Sequence, residues 1–384
     1  MTLTTVMQRT KPELADITSL SRHRGLAISV YLAGHQGGAG TQPVRARLER
    51  ALGQLKDKLE KAGVAEAERA ALLAPMFDAA ADPELEAGHR EGFAMFRARD
   101  SFRQFVLPFA VEDAAYLEGR FEITPMLAYV TQPHECFVLA LARKNLRLFR
   151  CGFDGAHEVP LPAEVCKSLE EFMATDQPDH SLRNASSAGP GGAVVAFGTG
   201  SERERQGRHM HDWCRSIAQG LRAVRGNVPL VVAGTDEERG TFRNACDDEL
   251  VQPGLAMVPD KGATPNEIAR AAMSLLREWV PEDRRQVIDT WRNLAGTPRG
   301  MSELTGIVRF ASRGRVQHLV LTSTALEAGN VDHVTGYVPA AGEFVSKEDD
   351  LVNAAVVETL RHSGDVWLTP PERGLPKVAA VLRY

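Results

Sequence analysis

The sequence is short of the features that mark several large protein classes. It has no uninterrupted apolar run near the roughly 20 residues that a membrane helix needs. Residues Met1 to Asp16 mix Thr, Lys, Glu and Asp with isolated apolar positions, and so lack the apolar core of a secretory signal. No membrane partner is expected, and a cytoplasmic setting is. Cys-x-x-Cys is absent too: the five cysteines (Cys136, Cys151, Cys166, Cys214, Cys246) are scattered and odd in number, which suits reduced thiols better than a zinc or disulfide framework. There is no cationic excess either. The net charge of −5 over 384 residues means that any nucleic-acid contact must come from a local basic patch.

Catalytic signatures are equally scarce. Gly198-Thr199-Gly200 lacks the third glycine of a dinucleotide fingerprint, and no Gly-x-x-x-x-Gly-Lys-[Ser/Thr] phosphate loop occurs. A Gly-x-Ser-x-Gly elbow is missing, and His134-Glu135 and His157-Glu158 lack the second histidine of a zinc-hydrolase motif. No cofactor is expected and no catalytic residue is identified. His209, His211 and Cys214 are soft-metal ligand types, but on a helix positions 209 and 211 diverge by about 200°, so no metal site is expected.

What is present is ordinary globular material, 43% apolar and 25% charged, long enough for two or three cores. Strands alternating with helices predict an α/β protein. The first segment, 1–130, opens with the β-rich Leu26–Leu32, followed by helices over 44–61 and 65–80, where Pro75 introduces a kink, and by strands near 92–96 and 105–107. The second, 131–254, begins with a hairpin of 136–142 and 146–150 and a helix over 163–173. A long Gly- and Ser-bearing loop, a helix over 206–225 and a strand over 229–234 complete it. The third, 255–384, starts with Thr264-Pro265-Asn266-Glu267, a capping box with proline at the first helical position. Helices are predicted over 281–294, 297–312 (closed by Gly314) and 351–362, with strands over 316–322, 366–368 and 379–382.

The helix over 206–225 divides cleanly when stepped at about 100° per residue. Met210, Trp213, Ile217, Leu221 and Val224 fall on one side and form the predicted core face. Arg208, His211, Arg215 and Arg222 fall on the other with Asp212 and Gln219, and together with Arg203 and Arg205 they make a candidate phosphate-contacting stripe. The blander alternative is a solvated face whose arginines pair with Glu202, Glu204 or Asp212. The loop before this helix contains Gly189, Pro190, Gly191, Gly192 and Ala193, the candidate functional loop.

The stretch Leu304-Thr305-Gly306-Ile307-Val308-Arg309-Phe310-Ala311-Ser312-Arg313-Gly314-Arg315-Val316-Gln317-His318-Leu319-Val320-Leu321 resembles the helix-Gly-strand unit in the last domain of the archaeal and eukaryotic release factors and Pelota. Gly364-Asp365-Val366-Trp367 and Ala379–Tyr384 resemble its closing strands. The middle segment resembles the family's central domain in its order of hairpin, helix, glycine-bearing loop, arginine-rich helix and strand. The first segment looks like the divergent bacterial and archaeal relatives. The resemblance implies a three-domain release-factor-like architecture, with a C-terminal α/β sandwich resembling the ribosomal kink-turn-binding protein fold. In the family the central loop carries Gly-Gly-Gln; here Ala193 follows Gly191-Gly192, and no Asn-Ile-Lys-Ser codon-reading motif occurs. The resemblance therefore implies a ribosome- or structured-RNA-contacting factor of stalling, rescue or dormancy, with a translational GTPase as a candidate partner and without peptidyl-tRNA hydrolysis. Two alternatives stand beside it: an enzyme using His180 or His211 in acid–base work, and a protein-interaction adaptor on an inherited fold.

Overall fold

The computed structural model describes residues 12–34, 42–81, 92–109, 111–152, 155–175, 202–256, 263–322, 328–329 and 349–384; the side chains of 128, 202–205, 328–329 and 349 lie outside that description. The chain forms two compact units, Met1–Gln132 with Glu282–Tyr384, and Pro133–Pro281. Each of the three sequence segments contributes one main sheet, as the α/β expectation requires. The first and third segments pack into a single unit.

In the discontinuous unit the first segment contributes α1 (Leu14–Ser21), β1 (Ala27–Leu32), α2 (Val44–Lys61), α3 (Glu66–Ala80), β2 (Gly92–Arg97), β3 (Phe102–Leu107), β4 (Ala114–Glu118) and α4 (Thr124–Thr131). Its sheet is antiparallel throughout, in the order β3-β2-β1-β4. Every residue of β1 is buried because both faces are covered. Ile28, Val30 and Leu32 meet α2 and α3, while Ala27 and Tyr31 join a cluster that runs on into the C-terminal segment. Pro75 sits inside α3, as expected. It has no N–H for the Ala71 carbonyl, and buried Arg97 fills the gap, donating to Ala71 O at 3.2 Å, Leu72 O at 3.1 Å and Ser101 O at 3.0 Å.

The continuous unit holds β5 (Cys136–Ala142), β6 (Asn145–Gly152), β7 (Gly155–Val159), α5 (Leu169–Thr175), α6 (Glu202–Arg225), β8 (Leu230–Ala233), α7 (Asp236–Ala245), β9 (Leu250–Leu255) and α8 (Pro265–Glu278). Its sheet runs β7-β6-β5-β8-β9, antiparallel on the hairpin side and parallel across β5, β8 and β9. Phe137, Leu139 and Leu141 pack toward α6 and α7, and Cys136, Val138 and Ala140 toward α8. The alternation makes three layers. Helix α8 begins as predicted, with the Thr264 hydroxyl accepting from Glu267 N at 3.3 Å and the Glu267 carboxylate accepting from Thr264 N at 2.8 Å. It covers the central sheet, however, so the observed division falls at Pro281 rather than at the 254/255 boundary expected from sequence. The predicted 163–173 helix narrows to α5, because the preceding turn is pinned to β6 by Leu146 N donating to Lys167 O at 2.8 Å.

The C-terminal segment returns to the first unit with α9 (Glu282–Leu294), β10 (Gly300–Met301), α10 (Leu304–Ser312), β11 (Val316–Leu321), β12 (Ala328–Gly329), β13 (Asp349–Asp350), α11 (Leu351–Arg361), β14 (Asp365–Leu368) and β15 (Val378–Leu382). Its main sheet runs β10-β15-β11-β14, with only β11 and β14 parallel among its described pairs. A helix starting at Thr297 was expected. Instead Gly296 takes a left-handed φ of 84° and the Thr297 hydroxyl donates to Leu294 O at 2.7 Å, so Thr297-Pro298 closes α9. Helix α10 starts later, capped by Glu303, and ends at Gly314 (φ 68°), where Arg315 N donates to Phe310 O at 2.9 Å.

Candidate functional site

Helix α6 is seated by three local devices. Trp213 is fully buried, and its indole N–H donates to Cys166 O at 3.1 Å, tying the helix to the turn before α5. Met210, Ile217 and Leu221 are buried on the same side, as the periodicity predicts. Gly220 permits close approach, since a Cβ there would lie 2.4 Å from a Val165 methyl. Val224 departs from the prediction and is 41% exposed, lying in the last turn beyond the buried Leu221.

The opposite side is the predicted stripe, and the structure divides it. Arg208, Arg215 and Arg222 are exposed and His211 is half-buried, with its Nδ1 3.5 Å from the Asp212 carboxylate. Arg222 is engaged: its Nε lies 3.3 Å from Asp248 Oδ2, which also accepts from Arg225 at 2.9 Å. The sequence suggested Glu202, Glu204 or Asp212 as counter-ions for the stripe, and Asp248 was missed because it lies beyond α7. Among the described residues, neither Arg208 nor Arg215 has an ion-pair partner. They stand seven positions apart, which at 1.5 Å of rise per residue is about 10 Å along the axis. The four arginines of residues 206–225 meet Asp212 and, from beyond α7, Asp248, so this surface keeps a local cationic excess on an acidic chain. A helix presenting two guanidiniums that lack partners among the described residues is suited to binding phosphates, because the planar fork donates in pairs to anionic oxygens.

The other sequence candidates separate from this face or fall outside the description. Arg203 and Arg205 lie in the first turn of α6, but their side chains are not among the described residues. Gly189, Pro190, Gly191, Gly192, Ala193 and His180 also lie outside the described residues. Cys214 is buried in the core, where burial pushes its thiol up to about 12. No His, Cys, Asp or Glu cluster able to hold a metal occurs among the described residues.

A second polar constellation was not anticipated from sequence. Ten consecutive residues of α11, Leu351 to Leu360, are buried, polar Asn353, Glu358 and Thr359 included. Asn353 Oδ1 accepts from Ile123 N at 3.1 Å and Thr124 Oγ1 at 3.2 Å, while its Nδ2 donates to Phe121 O at 3.0 Å. One turn further on, Glu358 is bonded by Arg24 and lies 3.7 Å from Arg120, itself buried, and 3.5 Å from Arg361. The available signal was a wholly apolar helical run interrupted by Asn and Glu, which demands buried partners.

Residues 136–315 match the family model of bacterial archaeo-eukaryotic release factor family 3. No curated protein matches the chain. Among solved structures, the chain is similar to the archaeal translation termination factor aRF1, with 12% identity, 97% of this chain and 96% of that one covered, and a TM-score of 0.25. It is similar also to Archaeoglobus fulgidus Pelota, with 11% identity, 77% and 80% covered and a TM-score of 0.33. For S. cerevisiae Dom34, a translation termination-like factor, the values are 8% identity, 76% and 80% covered and 0.32. These likenesses are distant. Among the described residues no helix is long and apolar enough to cross a membrane.

Proposed function

We infer that this chain, which belongs through residues 136–315 to the bacterial archaeo-eukaryotic release factors, is a cytoplasmic RNA-contacting factor that occupies a ribosomal site during stalling, rescue or dormancy. The observation that carries this reading is the pair of guanidiniums, Arg208 and Arg215, without ion-pair partners among the described residues, on a helix tied by Trp213 to the turn before α5. Such groups position a protein on an RNA backbone without reading its sequence, as a factor docking against ribosomal RNA requires.

Peptidyl-tRNA hydrolysis is not part of this reading. In the family the central loop carries Gly-Gly-Gln, whereas in this loop Ala193 follows Gly191-Gly192, and an alanine methyl neither donates nor accepts a hydrogen bond to place a reacting water. A translational GTPase is the partner class the family implies. The deciding experiment sediments tagged protein with ribosomal fractions from growing and starved cells, beside a nascent-peptide release assay on stalled and stop-codon complexes. Co-sedimentation that weakens with salt, with no release, is expected. Absence from ribosomal fractions in both conditions would sink the reading, and robust release would overturn the role given to Ala193.

A further inference from the structure

Away from the α6 face, in the discontinuous unit, α1, α4, α9 and the segment linking α11 to β14 enclose a cavity of about 330 Å³. This is the small end of the range for ligand pockets. Its lining includes Arg22, Thr131, Arg284, Asp365 and Trp367. Three features make it more than a crevice. The helix-terminal carbonyls nearby already have cationic partners: Arg284 donates to Thr131 O, and Arg383 donates to His362 O at 2.8 Å and Ser363 O at 3.1 Å. Arg22, by contrast, is exposed, and among the described residues its guanidinium has neither an ion-pair nor a hydrogen-bond partner. Finally, one residue, His318, lies against both the aromatic wall and the acid. Its ring stacks on Trp367 at 5.4 Å and 22°, and its Nδ1 lies 3.2 Å from the Asp365 carboxylate, its register partner across β11 and β14.

An indole, a guanidinium without a partner among the described residues and a carboxylate around a small volume are complementary to a planar heterocycle joined to a phosphate. We propose that this cavity binds a single nucleotide, its base against Trp367, its phosphate on Arg22, and its base edge donating to Asp365. A carboxylate offers two acceptor oxygens, which suits guanine, with adjacent ring N–H and amino donors, better than adenine, whose ring nitrogens accept. The nucleotide has two sources, a free mononucleotide or an unpaired guanosine of an RNA strand.

The test is titration calorimetry of the full chain with GMP, AMP and UMP, and with a single-stranded hexaribonucleotide carrying one internal guanosine. The variants are Trp367→Leu, Arg22→Gln and Asp365→Asn, each checked for an unchanged melting curve. GMP is expected to bind more tightly than AMP or UMP, with a loss of about 10-fold or more in Trp367→Leu. Asp365→Asn should narrow the GMP-to-AMP ratio, and Arg22→Gln should weaken all three nucleotides alike. Arg22 and Asp365 are exposed, so their variants keep the test valid if Trp367→Leu fails to fold. Binding of GMP without the hexamer assigns the free nucleotide, and binding of the hexamer assigns the RNA; either supports the site. No binding of GMP or hexamer at millimolar concentration, or binding unchanged in Arg22→Gln and Asp365→Asn, overturns it. Ribosome sedimentation and changes at Arg208 and Arg215 bear on the α6 face alone, so failure of that reading leaves this result separately interpretable.

Discussion

Arginine serves opposite ends in two regions, the buried core of the discontinuous unit and the exposed face of α6. In the discontinuous unit, Arg97 and Arg120 are buried and their charge is absorbed by carbonyls or a buried carboxylate. On α6 of the continuous unit, Arg208 and Arg215 are exposed, and among the described residues nothing neutralises them. A buried cation must be matched within the fold or it destabilises the native state, whereas an unmatched exposed one contributes little to stability and is available to an external anion. The contrast separates structural arginines from candidate binding ones more sharply than sequence spacing does.

The largest effect that would test the contrast is at Glu358. Replacing it with Gln leaves Arg120 buried without its carboxylate and should lower stability by about 3–5 kcal/mol, read from denaturant midpoints. A loss below about 1 kcal/mol would mean that the buried cluster is already relaxed by water. Next comes Arg97→Met, which strands the Ala71 carbonyl, while Ser101 O keeps the Ala98 N–H, and should cost about 1–3 kcal/mol. In a Pro75→Ala background the restored N–H can reach Ala71 O, so the cost should shrink, and strict additivity in that double-mutant cycle would contradict the account of Arg97 as the proline's replacement donor.

Glu122 sharpens the comparison from the acidic side. Burial pushes its carboxyl well above the usual range, with Asp350 and Glu118 adding to the shift, although Thr124 N donates to it at 3.1 Å. A carboxyl whose folded pKa is raised contributes stability that is present below its unfolded pKa of about 4.3 and is lost as pH rises through the folded value. Glu122→Gln should therefore gain stability relative to the parent as pH increases from 5 to 8. Denaturation at several pH values checks this, and a pH-independent difference between the two proteins would disprove it.

The smallest stability effect belongs to α6. Arg208→Gln with Arg215→Gln should change stability by less than about 0.5 kcal/mol. The same double change should flatten the log–log salt dependence of RNA or ribosome binding by slightly under one unit for each phosphate no longer neutralised. Arg222→Gln should have less effect on binding, because Asp248 already holds that guanidinium. Equal binding losses at all three positions would erase the distinction between paired and free arginines.

Much of this protein was legible in its sequence. The helix over Val44–Lys61, the hairpin at 136–150, the Thr264 capping box and the Gly314 closure all follow from interactions within a few residues. So does the burial of Met210, Trp213, Ile217 and Leu221 on α6. The local reading went astray at Thr297-Pro298, because the same residues that can open a helix can also close the one before, and the return of the chain as β10 against β15 decides between them. The placement of α8 was misjudged for a related reason: its apolar face announces that something covers it, not which sheet.

What the sequence determined by itself is therefore many of the elements, though not α1, β4, α4, β7, α7 or β9, and a family resemblance, since periodicity, caps and turn chemistry act over a few positions along the chain. Only tertiary structure decided which charges are spoken for. Asn353 meets Ile123 and Thr124, Arg97 meets Ala71, Asp248 meets Arg222, and His318 lies against both Asp365 and Trp367. Each pairing joins residues remote in the chain, whose meeting depends on strand order and helix packing, and no local hydrogen bond or hydrophobic period encodes it.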